Sequence, residues 1–375
     1  MDNLEKIEEK YIATLILHAL GDTIGFKNGE WEFNYDMRVV PLNMTLELLY
    51  EFISLGGINA INLDGWIVSD DTIMSMAIAD GLIENYKNFD NLYDILKKKY
   101  LIAYKEMDEA IKLKKNRHAG LTTIKSLDKL SKNKDWRKFP YDPMSGGAGA
   151  SMRTASIGLA FHGINNRDKL IEVAIESSKM THNSAIGYLG GLTTALFTTF
   201  AIEEIDIDKW PYLLLELIDS DKVRKYCNNE NDDEKKDYNE FIKYWKRYLE
   251  TRFVNNKPVK TKAHSNLIFR IKYQYDNFVK DSKYSTMVGE SGYSSTIMAY
   301  DSLIDSENVW EKLVIYSMIH IGDSDTVGCI AGAWYGALYG FGDVPKNNLK
   351  YLEYKDKLIN IGKELFKKYS YSEFN

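Results

Sequence analysis

An all-α fold is the architecture this sequence predicts, and three observations point to it. Apolar residues recur at helical spacing through most of the chain, alternating strand-like patterns are scarce, and only 6 prolines interrupt 375 residues. The first helix is marked by Ile7, Tyr11, Ile12, Leu15, Ile16 and Ala19, and the last by Leu352, Leu358, Ile361 and Leu365. Between them the periodicity predicts helices over 91–107, 167–180, 184–203, 209–219, 239–252, 308–319 and 325–339. The polar stretch "CNNENDDEKKDYNE", 227–240, predicts a solvated, charged loop. No repeat or low-complexity linker divides the chain, so a compact single-domain, multi-helix bundle over 1–375 is expected.

Composition narrows the classes of function. With 45% hydrophobic residues the chain can bury a large core. No run approaches the roughly 18 uninterrupted apolar residues of a membrane span. The N-terminal "MDNLEKIEEK" carries acids where a signal peptide carries basic residues, so a cytoplasmic protein with no membrane partner is expected. A net charge of −6 without a concentrated basic run argues against a nucleic-acid partner. A monomer is the expected state. Cys227 and Cys329 form no disulfide framework and lack metal-finger spacing, so a metal site here must use oxygen or histidine.

Two acidic clusters carry the chemistry. In "GWIVSDDTIMSMAIADGL", 65–82, Ser69 is a good N-cap and Asp70 and Asp71 fall in the first turn of an apolar helix, where acids are favoured for structural reasons alone. In "IGDSDTVGCIAGAWYGALYG", 321–340, Asp323, Asp325 and Thr326 repeat that logic before a Gly- and Ala-rich helix that reads as tightly packed. Carboxylate and hydroxyl oxygens suit Mg²⁺, Mn²⁺ or Ca²⁺, and no His or Cys accompanies either cluster as zinc would want. No 12-residue loop with a closing Glu follows Asp323, which excludes an EF-hand. Four carboxylates in one core would repel strongly without a cation, but periodicity does not show that segments about 250 residues apart meet.

These segments, with three others, resemble a known family. "LHALGDTIGFKNGEWEF" (17–33), "WIVSDDTIM" (66–74), "GGAGASMRTASIGL" (146–159), "MTHNSAIGYLGGL" (180–192) and "IGDSDTVGCIAGAWYGALYG" (321–340) are similar, in order, to the ADP-ribosylglycohydrolase family, and most similar to its ADP-ribosylarginine hydrolase branch. The resemblance implies an all-helical enzyme with two Mg²⁺ ions, for which Mn²⁺ can substitute, releasing ADP-ribose from modified protein side chains. Ser69, Asp70, Asp71, Asp323, Asp325 and Thr326 match the metal ligands, and Glu32 matches a mobile acidic residue that works beside Asp70 and Asp71 in catalysis. Where relatives carry an acid just before the glycine-rich loop this chain has Ser145, with Asp142 the nearest acid.

The remaining assignments also come from the resemblance. Gly146, Gly147, Ala148, Gly149, Ala150, Ser151 and Met152 would hold the pyrophosphate through backbone N–H groups; as a bare pattern these small residues equally suit a tight helix contact, and the Lys of a P-loop is missing. His182 matches a position near the ligand. Arg117, Gly120 and Thr123 fit a segment of the form R-x-x-G-x-x-T, although "KLKKNRH" also reads as a solvated basic face. Gly289, Ser291 and Gly292 fit the adenosine-side loop, where Tyr293 and Ser294 replace a His-Asp pair. The expected reaction is hydrolysis of the N-glycosidic bond of mono-ADP-ribosylated arginine; the alternatives are ADP-ribosyl-serine or poly(ADP-ribose) on the same fold, or a non-catalytic ADP-ribose-binding relative. Cleavage of such a bond passes through an oxocarbenium-like state, for which carboxylates supply acid and base.

Overall fold

The computed structural model describes residues 3–33, 42–132, 134–228 and 230–370. Seventeen α-helices carry the fold among these residues. Their β-structure is one short antiparallel ribbon, Phe253–Val254 against Lys257–Pro258, and an isolated bridge between Gly147 and Ser291. The expected helices appear as Asn3–Phe26, Phe89–Lys112, Arg167–Lys179, Ala185–Ile202, Trp210–Asp219, Trp310–Ser317, Ser324–Tyr339 and Lys355–Tyr369.

One expectation is corrected. The stretch read as a solvated loop, 227–240, is helical from Asp232 onward, within the helix Asp232–Arg252. Asn231 caps that helix by accepting from the N–H groups of Asp233 and Glu234. The charges misled because two of them point inward: Glu234 accepts from the Tyr188 hydroxyl at 3.0 Å and Asp237 from the Tyr141 hydroxyl at 2.6 Å.

Helix Ala185–Ile202 is apolar and long enough to cross a membrane by composition, yet 94% of it is buried inside the molecule. Its apolar surface faces helices on every side, so its hydrophobicity serves the core.

The contact that positions the site joins the first helix, Asn3–Phe26, to helix Ser324–Tyr339, the most extensive helix pairing in the fold. Glycines one helical turn apart make it possible. A Cβ on Gly328 would meet the Gly21 carbonyl oxygen at 2.7 Å, and one on Gly336 the Ala13 carbonyl carbon at 2.5 Å; Gly332 faces the Leu17 backbone. Without side chains on this face the two backbones touch, and the N-terminal end of helix Ser324–Tyr339 is drawn beside Asp22 and Gly25 of the first helix.

Candidate active site

Asp22 is the anchor of the first acidic cluster, and it was not singled out from the sequence. Fully buried, it accepts from the Ser69 N–H at 3.0 Å, the Thr72 N–H at 3.1 Å and the Thr72 hydroxyl at 2.5 Å. Burial, with Asp325 nearby, pushes its carboxyl up to about 7 despite those bonds. Ser69 caps helix Asp70–Ile83 by accepting from the Asp71 N–H at 3.1 Å, as the sequence predicts. The Asp70 N–H donates to the Arg117 carbonyl at 2.9 Å.

The second cluster folds onto the first. Gly322, at φ +108°, turns the chain so that the Asp323 N–H donates to the Val288 carbonyl at 3.0 Å. The Thr326 hydroxyl donates to Asp71 Oδ2 at 2.8 Å across 255 residues of sequence. Cys329 Sγ lies 3.3 Å from the same oxygen.

Glu32 closes the group from a third direction. The 3₁₀ turn Lys27–Gly29 ends the first helix, and two anchors then hold the next residues: Trp31 is buried and donates from Nε1 to Glu51, and the Phe33 N–H donates to the Gly322 carbonyl at 2.9 Å. Glu32 between them faces inward, whereas Glu30 pairs with Lys27 at 2.6 Å on the surface. Carboxylate oxygens of Glu32, Asp323 and Asp325 lie within 4.8 Å of one another. Burial displaces the Glu32, Asp70, Asp71, Asp323 and Asp325 carboxyls upward, and repulsion from Asp325 adds to it at the other four. Among the described residues no Lys or Arg forms an ion pair with these five groups; the one basic side chain in contact is His118, whose Nδ1 is 3.0 Å from Glu32 Oε2. Such a set of buried oxygens fits a hard divalent cation.

Glu32, Asp70, Asp71, Asp323 and Thr326 line a cavity of about 420 Å³, whereas the assigned ligands Ser69 and Asp325 are buried beside them and do not line it. Gly147, Ala148, Gly149, Met152 and His182 form one wall, and His118, Gly120, Leu121, Thr122 and Thr123 another. A Cβ on Gly149 would meet His182 Cε1 at 2.5 Å and Nε2 at 2.8 Å, so the loop lies directly against that ring. Burial pushes His182 down to about 3, which keeps it neutral; Thr181 Oγ1 contacts its Nδ1 at 2.8 Å.

Several sequence-assigned residues do not line this cavity. Gly146, Ala150 and Ser151 belong to the loop but pack behind it: Gly146 lies against Ile186, and Ala150 and Ser151 are fully buried. Arg117 turns away. Its guanidinium donates to the Val68 carbonyl at 2.5 Å and to both carboxylate oxygens of Glu353 at 2.9 Å. Gly289 packs against Val327 and Asp323, and Ser291 caps helix Gly292–Ser306. Gly292 abuts the Ile186 and Gly187 backbone, and Tyr293 stacks on Tyr244 with ring centroids 4.0 Å apart. Their place on the wall is taken by Lys283, Tyr284, Ser285, Thr286 and Glu290 just upstream. Asp142 also faces elsewhere, accepting from Ser145 and Met144 within its own turn.

A helical fold that gathers an acidic, oxygen-lined cleft beside a glycine-rich loop presents the hard oxygen ligands that a divalent cation takes. The family model for ADP-ribosylglycohydrolase matches residues 3–373. A protein of Acanthamoeba polyphaga mimivirus named ADP-ribosyl glycohydrolase is 40% identical over 361 residues, covering 92% of this chain and 68% of that one. ADP-ribosylhydrolase ARH1 of Dictyostelium discoideum is 34% identical over 384 residues, covering 96% and 94%. ADP-ribosylhydrolase ARH3 of Xenopus tropicalis is 24% identical over 301 residues, covering 77% and 78%. A solved ADP-ribosylglycohydrolase-related protein complex superposes with a TM-score of 0.59 at 14% identity over 97% of this chain and 99% of that one, a likeness of fold. The chain belongs to the ADP-ribosylglycohydrolase family, and it is a glycohydrolase whose substrates carry ADP-ribose.

Proposed function

We propose that this protein removes ADP-ribose from mono-ADP-ribosylated arginine side chains, with two Mg²⁺ ions held at the acidic end of the cleft. The observation that carries the proposal is the convergence of Asp70, Asp71, Asp323, Thr326 and Glu32 on a cavity also lined by the Gly147–Gly149 loop, with Asp325 within 4.8 Å of Glu32 and Asp323. Asp70, Asp71, Asp323, Asp325, Thr326 and Ser69 are the residues that would hold the ions. Bound there, such ions would offset the clustered negative charge and would supply Lewis-acid chemistry at the ribose end of the substrate.

The chain's own groups supply the rest. Gly147 and Gly149 have no side chain between their backbone and the cavity, so a diphosphate can approach closely. Glu32, its carboxyl raised by burial and by the neighbouring aspartates, is placed to give a proton to the departing guanidine or take one from the attacking water. His118 fixes the Glu32 carboxylate by the 3.0 Å contact at Nδ1. Neutral His182 borders the diphosphate loop without adding charge. The "NGEWEF" segment and the overall similarity to the arginine-specific branch support the arginine linkage.

Incubation with ADP-ribosyl-arginine and ADP-ribosyl-serine substrates, with Mg²⁺, Mn²⁺ or excess chelator, tests the proposal. Release of ADP-ribose from arginine that depends on either cation is expected. Release from serine alone moves the chain to the alternative substrate, and full activity in chelator rejects the metal assignment.

A further inference from the structure

Fifteen large apolar side chains stand exposed among the described residues, and three of them, Phe33, Leu121 and Met144, line the catalytic cleft. Leu121 is 75% exposed and Met144 79% exposed, so they stand at the mouth of the cavity rather than within it.

Neither side chain is there to fill the core. Helix Leu121–Ser131 buries Thr123, Ser126, Leu127 and Leu130, and Leu121 falls on the opposite face. Met144 sits on a turn in which Asp142 accepts from the Met144 N–H at 3.0 Å and from the Ser145 N–H, which presents the side chain outward. Phe33 is a non-glycine residue at φ +45°, held there by its N–H bond to Gly322. Exposed apolar groups gathered at one opening, on locally fixed backbone, mark a contact surface.

The occupant follows from where the opening lies. ADP-ribose belongs inside the polar cavity, and the side chain that bears it enters through the mouth, so the polypeptide carrying that side chain must cross the rim. We infer that Leu121 and Met144, with Phe33 beside them, form a docking collar for the polypeptide substrate, taking apolar side chains that flank the ADP-ribosylated residue. The inference rests on the proposed hydrolase reading, since it assigns the partner of that same site. The collar buries apolar area that a free ADP-ribosyl amino acid lacks, so it separates protein substrates from small conjugates.

The test is the double variant Leu121→Ser, Met144→Ser, assayed on an ADP-ribosylated protein and on the free ADP-ribosyl amino acid of the same linkage. The ratio of kcat/KM for the protein over the free conjugate should fall about tenfold, through KM. An unchanged ratio overturns the collar, as does an equal loss on both substrates. A wild-type enzyme that cleaves serine instead of arginine refutes only the linkage, and the ratio is then read on the serine pair. If wild type cleaves neither, calorimetry decides: a loss of affinity for the ADP-ribosylated protein and not for free ADP-ribose supports the collar, and parallel affinities reject it.

Discussion

Replacing Arg117 by Ala distinguishes two readings of the same residue. As a ligand contact its loss would raise KM for ADP-ribosylated substrates and leave stability alone. The structure instead makes Arg117 a clamp behind the metal-site turn: its side chain is 5% exposed, it grips Glu353, whose side chain is 24% exposed, and it donates to the Val68 carbonyl. Glu353 in turn accepts from the Val68 N–H at 2.9 Å, so the pair fixes the residue immediately before Ser69. Breaking a fully buried pair by removing one partner costs about 3–5 kcal/mol. Glu353 can recover some hydration here, so about 3 kcal/mol is the expected loss, which for a chain of 375 residues lowers Tm by roughly 4 °C. Thermal unfolding measures this directly. Glu353→Gln should reproduce part of the loss, and the double variant should fall short of additivity by about 1–3 kcal/mol because one contact has been removed twice. Turnover should drop with stability, since Ser69 and Asp70 lose their backing, while affinity for ADP-ribose stays near wild type. An Arg117→Ala protein with unchanged Tm and a raised KM would refute the clamp and return the residue to substrate binding.

Three other outcomes are expected. Glu32→Gln should lower kcat by about 10²-fold or more with little loss of ADP-ribose affinity, as measured by steady-state kinetics and calorimetry; a mainly weakened affinity would reject proton transfer. Gly149→Ala puts a methyl group against the His182 ring, so ADP-ribose affinity should fall about tenfold while the helical CD spectrum is retained. His18 is buried with its Nε2 2.6 Å from the Met152 carbonyl, and burial pushes it down to about 4 from 6.5. The native state therefore binds fewer protons than the unfolded chain between those pH values, so this contribution is intact above pH 6.5 and lost as pH falls to about 4. Wild type should lose about 3 kcal/mol more than His18→Gln across that window, and parallel stability profiles for the two proteins would sink the argument.

What the sequence made legible was what short range decides. Ser69 is a cap because a hydroxyl before an apolar run is the local way to satisfy a helix start, and the glycines of 321–340 are spaced one turn apart because they face another backbone. The misreadings share one cause, a partner far away in sequence. Arg117 looked like ligand chemistry or a solvated face because its counter-charge, Glu353, lies 236 residues on. Glu234 and Asp237 looked solvated because Tyr188 and Tyr141 belong to other segments. Tyr293 was placed in the nucleoside loop, while the Tyr244 ring that holds it is on another helix.

His118 is the instructive omission. It follows Arg117 in a basic-looking stretch and carries no pattern of its own, yet it sits at φ +57° with its ring against Gly29 and Phe26 and its Nδ1 on Glu32, 86 residues earlier. A left-handed histidine is visible only once the backbone is known, and such strain persists where surrounding contacts hold it. Those contacts are Phe26, the turn Lys27–Gly29 and Glu32 itself, and that turn, with the buried Trp31 anchor, also aims Glu32 at the aspartates. A positive-φ Gly29 leaves room for the imidazole, since a Cβ there would meet its Cε1. The glycine of "KNG" is therefore as much a part of the acid's placement as the acid is: a side chain at Gly29 would expel His118 and leave the Glu32 carboxylate without its one basic contact among the described residues.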